Sequence, residues 1–237
     1  MKLEGLRINF LGDSITEGVG ASSKDTVYHA ILAKEAGLSQ ANNYGISGTR
    51  FAIQKGTEKQ PKDDYVDINS FCERFDKMDD ADAVVVFGGT NDYGHETPMG
   101  TINDLEDVSF YGALNVIIPG IQKAQPNAKL VWITPTHRYG FGTSKLLGTP
   151  FTYDYLPNGR GYSLNDYVDA IKEVCEKYDV PVIDLFSLSE MDPSLSKVRT
   201  QYMPDGLHPN AAGHEKIAAV IAKALNHIVI EGDDNEN

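Results

Sequence analysis

Basic residues are scarce in this chain: 21 lysines and arginines stand against 34 aspartates and glutamates, a formal net charge of −13 over 237 residues. A deficit of that size argues against polyanions, so neither nucleic acid nor a membrane surface is expected as a partner. Cysteine is almost missing. Cys72 and Cys175 are too few and too far apart for a disulfide framework. Cys175 sits in a helical pattern with Ile171, Val174 and Tyr178 and reads as a small core residue. No apolar run approaches the roughly 20 residues needed to cross a bilayer. Residues Met1 to Arg7 lack the charged, apolar and small-residue stretches of a secretion signal. The expectation is a cytoplasmic protein. Gly-x-Gly-x-x-Gly, a Gly-Lys-Ser/Thr loop and His-x-x-x-His are all absent, which argues against a nucleotide-binding domain and a metal hydrolase. No metal and no cofactor are expected.

The chain does hold an ordinary globular composition, 41% hydrophobic and 23% charged, and a regular alternation of strand and helix patterns. Arg7 to Leu11 reads as a first strand, Thr26 to Gly37 as a helix with Val27, Ala30 and Ile31 inward, and Asn42 to Ile46 as a second strand. Asp82 to Phe87 is a β-branched run buried on both faces. Phe110 to Gln125 reads as a helix that Pro119 should kink or split. Lys129 to Thr134 and Val180 to Leu185 complete the strands; Ser163 to Tyr178 is a helix capped by Ser163 with Asp166 three residues on. A closing helix carries Ile217, Val220, Ile221, Ala224, Leu225 and Ile228 on one face. This predicts one α/β domain over residues 1–230 with a parallel sheet between helices, followed by a frayed acidic tail over 231–237.

In such sheets ligands bind beyond the carboxyl ends of the strands. Gly12-Asp13-Ser14, Gly89-Thr90-Asn91-Asp92 and Thr134-Pro-Thr-His137 all follow strands and so converge on one edge. Acyl transfer needs a nucleophile, a base within reach of it, a group that orients the base, and donors for the oxyanion. Ser14, at a strand-to-helix junction, supplies a hydroxyl, although an isolated serine there is more often a helix cap. Asp205-Gly-Leu-His208 supplies a base and an orienting carboxylate, and taken alone could equally cap a helix or bind a metal. Asn91 offers an amide donor beside a glycine turn, or simply occupies a turn position.

Together these pieces resemble a known pattern. Phe10-Leu-Gly-Asp-Ser-Ile-Thr-Glu-Gly18, Tyr44-Gly-Ile-Ser-Gly48, Gly88-Gly-Thr-Asn-Asp92 and Asp205-Gly-Leu-His208 are similar, in order and spacing, to the four blocks of the SGNH or GDSL-like hydrolases. The resemblance spans residues 8 to 215. It implies a flavodoxin-like three-layer fold with a five-stranded parallel sheet. It implies Ser14 as nucleophile, His208 as base and Asp205 as its orienting partner. The oxyanion donors would be the backbone N–H groups of Ser14 and Gly48 and the side chain of Asn91. Asp13 and Asp92 adjoin these positions, as loop braces or as part of the substrate pocket; His137 and His95 are pocket or surface candidates. Tyr139, Phe141, Phe151, Tyr153, Tyr155 and Tyr162 crowd an irregular segment and could form an aromatic wall for a sugar or acyl chain, or ordinary loop packing. The expected substrate is a small-molecule ester with a short acyl group, with an O-acetylated sugar the first choice. A lysophospholipase or thioesterase, or a non-catalytic binding module, is the alternative, and self-association is left open.

Overall fold

The computed structural model describes residues 3–53, 69–140, 148 and 153–233. Along the chain these form β1 (Arg7–Gly12), α1 (Ser14–Glu17), α2 (Tyr28–Ala36), β2 (Gln40–Gly45), β3 (Ala83–Phe87), α3 (Thr90–Gly94), α4 (Phe110–Ala124), β4 (Lys129–Ile133), α5 (Leu164–Lys177), β5 (Val182–Ile183), α6 (Leu185–Leu188), α7 (Ser196–Tyr202) and α8 (Ala211–Asp233). The five strands make one parallel sheet in the order β2-β1-β3-β4-β5. This is the flavodoxin-like order, and its switch point lies between β1 and β3.

All five residues of β3 are buried, and successive side chains point to opposite faces. Val84 and Val86 join Leu11, Phe51, Phe71, Phe110, Trp132 and Ile171 under α4 and α5. Val85 and Phe87 join Phe10, Tyr28, Leu32, Ile133, Ile217 and Ile221 under α2 and α8. One strand thus seeds two cores, which is why helices cover both sides. The register sets Gly45, Gly12, Phe87 and Ile133 level with one another. The loops that leave β1, β2, β3 and β4 therefore start from one edge.

Four elements depart from the sequence reading. Helix α4 runs from Phe110 to Ala124 without a break, with Pro119 inside it; proline removes a backbone hydrogen bond, but Ile117, Ile118 and Ile121 on either side are fully buried and hold the turn by packing. In α2 the buried face is Tyr28, Leu32 and Ala36, while Ala30 and Ile31 are only half-buried. The last strand shrinks to Val182–Ile183, because Asp184 turns to cap α6 by accepting the Ser187 N–H at 3.2 Å. Helix α8 continues to Asp233, three residues into the segment expected to fray. No glycine or proline stands between Glu215 and Glu231 to stop it; residues 234–237 lie outside the described residues.

Ser163 caps α5 as expected: its N–H and its hydroxyl both donate to Asp166, at 2.6 and 2.7 Å. Ser163→Ala should lower stability by about 1 kcal/mol without changing the rate of the hydrolysis that the sequence leads one to expect. A thermal melt alongside an activity assay checks both halves of that expectation.

Candidate active site

Gly12 ends β1, and the chain turns directly into α1. Asp13 caps that short helix by accepting the Ile15 N–H at 3.0 Å, which leaves Ser14 as its first residue at the sheet edge. From the far end of the sequence, the loop before α8 brings His208 to the same point. His208 Nε2 lies 3.0 Å from Ser14 Oγ, and His208 Nδ1 lies 2.7 Å from Asp205 Oδ2. Asp205 also folds its own loop, because its Oδ1 accepts the backbone N–H of Leu207 at 2.9 Å and of His208 at 2.7 Å. Gly206, at φ +84°, lies so close to Tyr139 that an added Cβ would stand 1.9 Å from the Tyr139 carbonyl oxygen. The loop can pack there only with glycine.

Electrostatics follow from these contacts. Burial raises the Asp205 carboxyl, but the His208 ring and the two backbone donors outweigh it and hold it down at about 2. Asp205 is therefore an anion at neutral pH and favours the ring tautomer that carries its proton on Nδ1. That tautomer leaves Nε2 to accept the Ser14 hydroxyl proton. The arrangement can move a proton from Ser14 and hold the charge that results.

The other sequence-selected donors, Gly48 and Asn91, meet at Thr49. Gly48 sits in the turn after β2 at φ +76°, with open space where a side chain would be. Asn91 is buried at the start of α3, and its Nδ2 donates one hydrogen to the Thr49 carbonyl at 3.0 Å. Asp13 and Asp92 hold the loops beside these positions. They are 2% and 0% exposed and spend their oxygens on backbone groups, Asp13 on Ile15 and Asp92 on Phe51 and Ala52 at 3.0 and 3.4 Å. Burial pushes both carboxyls up to about 6. His137 is held by Asp154 at 2.6 Å and lies 3.9 Å from the Phe186 ring, so it braces the corner after β4. His95 closes α3 through its backbone N–H, which donates to the Asn91 carbonyl at 2.8 Å.

Three positioning residues escaped the sequence reading. Tyr28 links the helix that begins at Ser14 to the helix that follows His208. Its hydroxyl is 3.0 Å from Thr16 Oγ1, two residues past Ser14. Its backbone N–H donates to His214 Nδ1 at 3.3 Å, and its ring stacks on that of His214, six residues past His208. Arg138 is 4% exposed, and its Nη1 donates to the Thr90 carbonyl and hydroxyl at 2.8 and 3.1 Å, beside Asn91. Nothing local marks these residues, since their partners lie 12, 186 and 48 positions away.

His214 is fully buried, and burial, helped by His29 and His208, lowers its pKa to about 4. Between about 6.5 and 4 the unfolded chain takes up a proton that the native ring refuses, so this contribution is present above 6.5 and is lost as pH falls. Asp13 and Asp92 act in the opposite sense, gaining protons in the native state as pH drops through about 6. The His214 part is isolated by comparing the wild type with His214→Asn. The stability difference between them should shrink by up to about 3 kcal/mol from pH 7 to pH 4. Denaturant melts across that range measure it, and a difference that stays constant refutes the buried neutral ring.

Several known proteins resemble this chain. An acetylxylan esterase of Xylanibacter ruminicola is 28% identical over 94% of this chain, which spans only 44% of that protein's length. One solved structure superposes with a TM-score of 0.83 at 35% identity, covering 96% of this chain and 99% of its own. A protein from Lactobacillus plantarum superposes with a TM-score of 0.79 at 32% identity, covering 94% and 98%. The sequence profile of the GDSL-like Lipase/Acylhydrolase family matches residues 10–216, from β1 through the His208 loop into α8. The chain therefore belongs to the GDSL-like lipase/acylhydrolase family, a family of ester-hydrolysing enzymes.

Proposed function

We propose that this chain is a serine esterase that removes short acyl groups, first of all acetyl, from a carbohydrate. The observation that carries the chemistry is the unbroken relay Asp205–His208–Ser14, at 2.7 and 3.0 Å. In the proposed mechanism His208 takes the Ser14 proton as Oγ attacks the ester carbonyl. The tetrahedral oxyanion is met by the N–H groups of Ser14 and Gly48 and by Asn91. Collapse of this intermediate expels the alcohol, which takes its proton from His208. Water, activated by the same ring, then releases the acid from Ser14. Asp205 holds the imidazole in place and balances its charge at each step.

The carbohydrate part of the reading has separate support. The Tyr139 N–H donates to the Gly206 carbonyl at 2.8 Å, so Tyr139 runs beside the His208 loop. Its ring meets Tyr153 at 4.9 Å, and Tyr153 stacks on Tyr155 at 5.0 Å. Tyr155 is 65% exposed, and Arg199 lies 4.5 Å over the Tyr139 ring. Such a ladder offers flat apolar faces with polar edges, which suit a sugar ring better than a flexible acyl tail. Tyr162 instead packs on Tyr167 in the core, and Phe141 and Phe151 lie outside the described residues. The acetylxylan esterase relative points to the same substrate class.

Ser14→Ala should lower turnover of p-nitrophenyl acetate by at least roughly 10³-fold with the fold intact, and EDTA should leave the wild type unaffected. In a series from acetyl to dodecanoyl esters, the rate should be highest at the short end. A maximum at octanoyl or longer would move the assignment to a lysophospholipase or thioesterase. No turnover of any ester, with binding of O-acetylated oligosaccharides retained, would make the chain a binding module.

A further inference from the structure

Arg74 is a buried cation away from every sequence block of the family. It is 8% exposed and follows the turn Phe71–Glu73, with its guanidinium 4.5 Å over the Phe71 ring. All three of its nitrogens are engaged. Nε donates to the Asn69 carbonyl at 2.8 Å, and Nη1 donates to the carbonyl of Tyr44 in β2. Nη2 donates to the Gly12 carbonyl at 2.7 Å and to Thr49 Oγ1 at 3.1 Å.

These partners matter because of where they stand. Gly12 lies two residues before Ser14, and Thr49 directly follows Gly48. Thr49 is itself 1% exposed; its hydroxyl donates to the Ile46 carbonyl at 2.7 Å, and its carbonyl accepts Asn91 Nδ2 at 3.0 Å. One guanidinium nitrogen therefore ties together the segments that carry all three oxyanion donors. We propose that Arg74, acting through Thr49, is the positioning residue that sets the Ser14 N–H, the Gly48 N–H and the Asn91 amide at their mutual spacing. The inference rests on the oxyanion assignment proposed above and adds the group that builds the hole.

The chemistry favours arginine for this task. A planar fork with donors on separate nitrogens can bind four acceptors in fixed directions, whereas a lysine ammonium is a point charge that cannot span them. Burial lowers the guanidinium to about 10, so it remains a cation at neutral pH, with the Asp13 carboxylate as an electrostatic partner. Misplacing a donor by a fraction of an ångström weakens the transition state more than substrate binding, so the defect belongs in kcat.

The test is a double-mutant cycle on p-nitrophenyl acetate with melting temperatures recorded throughout. Asn91→Ala alone should lower kcat by about 10²–10³. Arg74→Lys and Thr49→Val should each lower kcat by roughly tenfold or more with KM within about twofold. Placed on Asn91→Ala, each should cost less than about threefold, because one donor they position is already gone. Should Arg74→Lys fail to fold, Thr49→Val, which keeps the side chain's shape and removes only the hydroxyl, carries the same cycle. Losses that are fully additive with Asn91→Ala, or Thr49→Val with unchanged kcat, overturn the role of Arg74. An unchanged rate in Asn91→Ala alone overturns the oxyanion assignment instead, so the two failures are told apart.

Discussion

The contact between His208 and Ser14 joins residues 194 positions apart and has to be accurate to a fraction of an ångström. Local structure on either side cannot supply that accuracy. It comes from the sheet, whose register levels the ends of β1 and β3, and from α8, packed beside α2 on one face. Tyr28 is the member that couples the two, with its hydroxyl on the Thr16 side and its amide on the His214 side. Close packing leaves little freedom for α8 to slide, since Ile217, Ile221 and Leu225 are fully buried beneath it.

Beneath the surface site lies a second layer of buried charge. Asp13 and Asp92 hold backbone N–H groups on the loops after β1 and β2, and Arg74 and Arg138 hold carbonyls and hydroxyls on the loops after β1, β2 and β3. Each ion alone would be costly to bury. As a set they lie within one another's fields: Asp13 interacts with His208, Arg74 and Arg138 at once. The loops at the sheet edge owe part of their shape to this layer, beside the buried apolar anchors Ile15 and Phe51.

Much of this was legible in advance, for reasons that differ from residue to residue. Val84 to Val86 announce a doubly buried strand because three β-branched residues in succession suit little else. Ser14, Asn91, Asp205 and His208 are legible because chemistry restricts which residue types can serve and the blocks keep their order. The face of α2 was misplaced by one step because its buried positions include Tyr28 and His29, which count as half-polar in a pattern of apolar spacing. Pro119 does not split its helix, since packing on either side of it outweighs one lost hydrogen bond. Arg74, Arg138, Tyr28 and His214 carry no local signature, and their meaning exists only once distant segments have met.

The order of the two reacting groups along the chain has a consequence during synthesis. The Ser14 hydroxyl leaves the ribosome before β2 to β5 have been made, while the His208 imidazole comes after all five strands. On the proposed mechanism, Ser14 has no base until that segment has docked. Synthesis of the His208 segment, with α8 behind it, is thereby the step that would arm the proposed site.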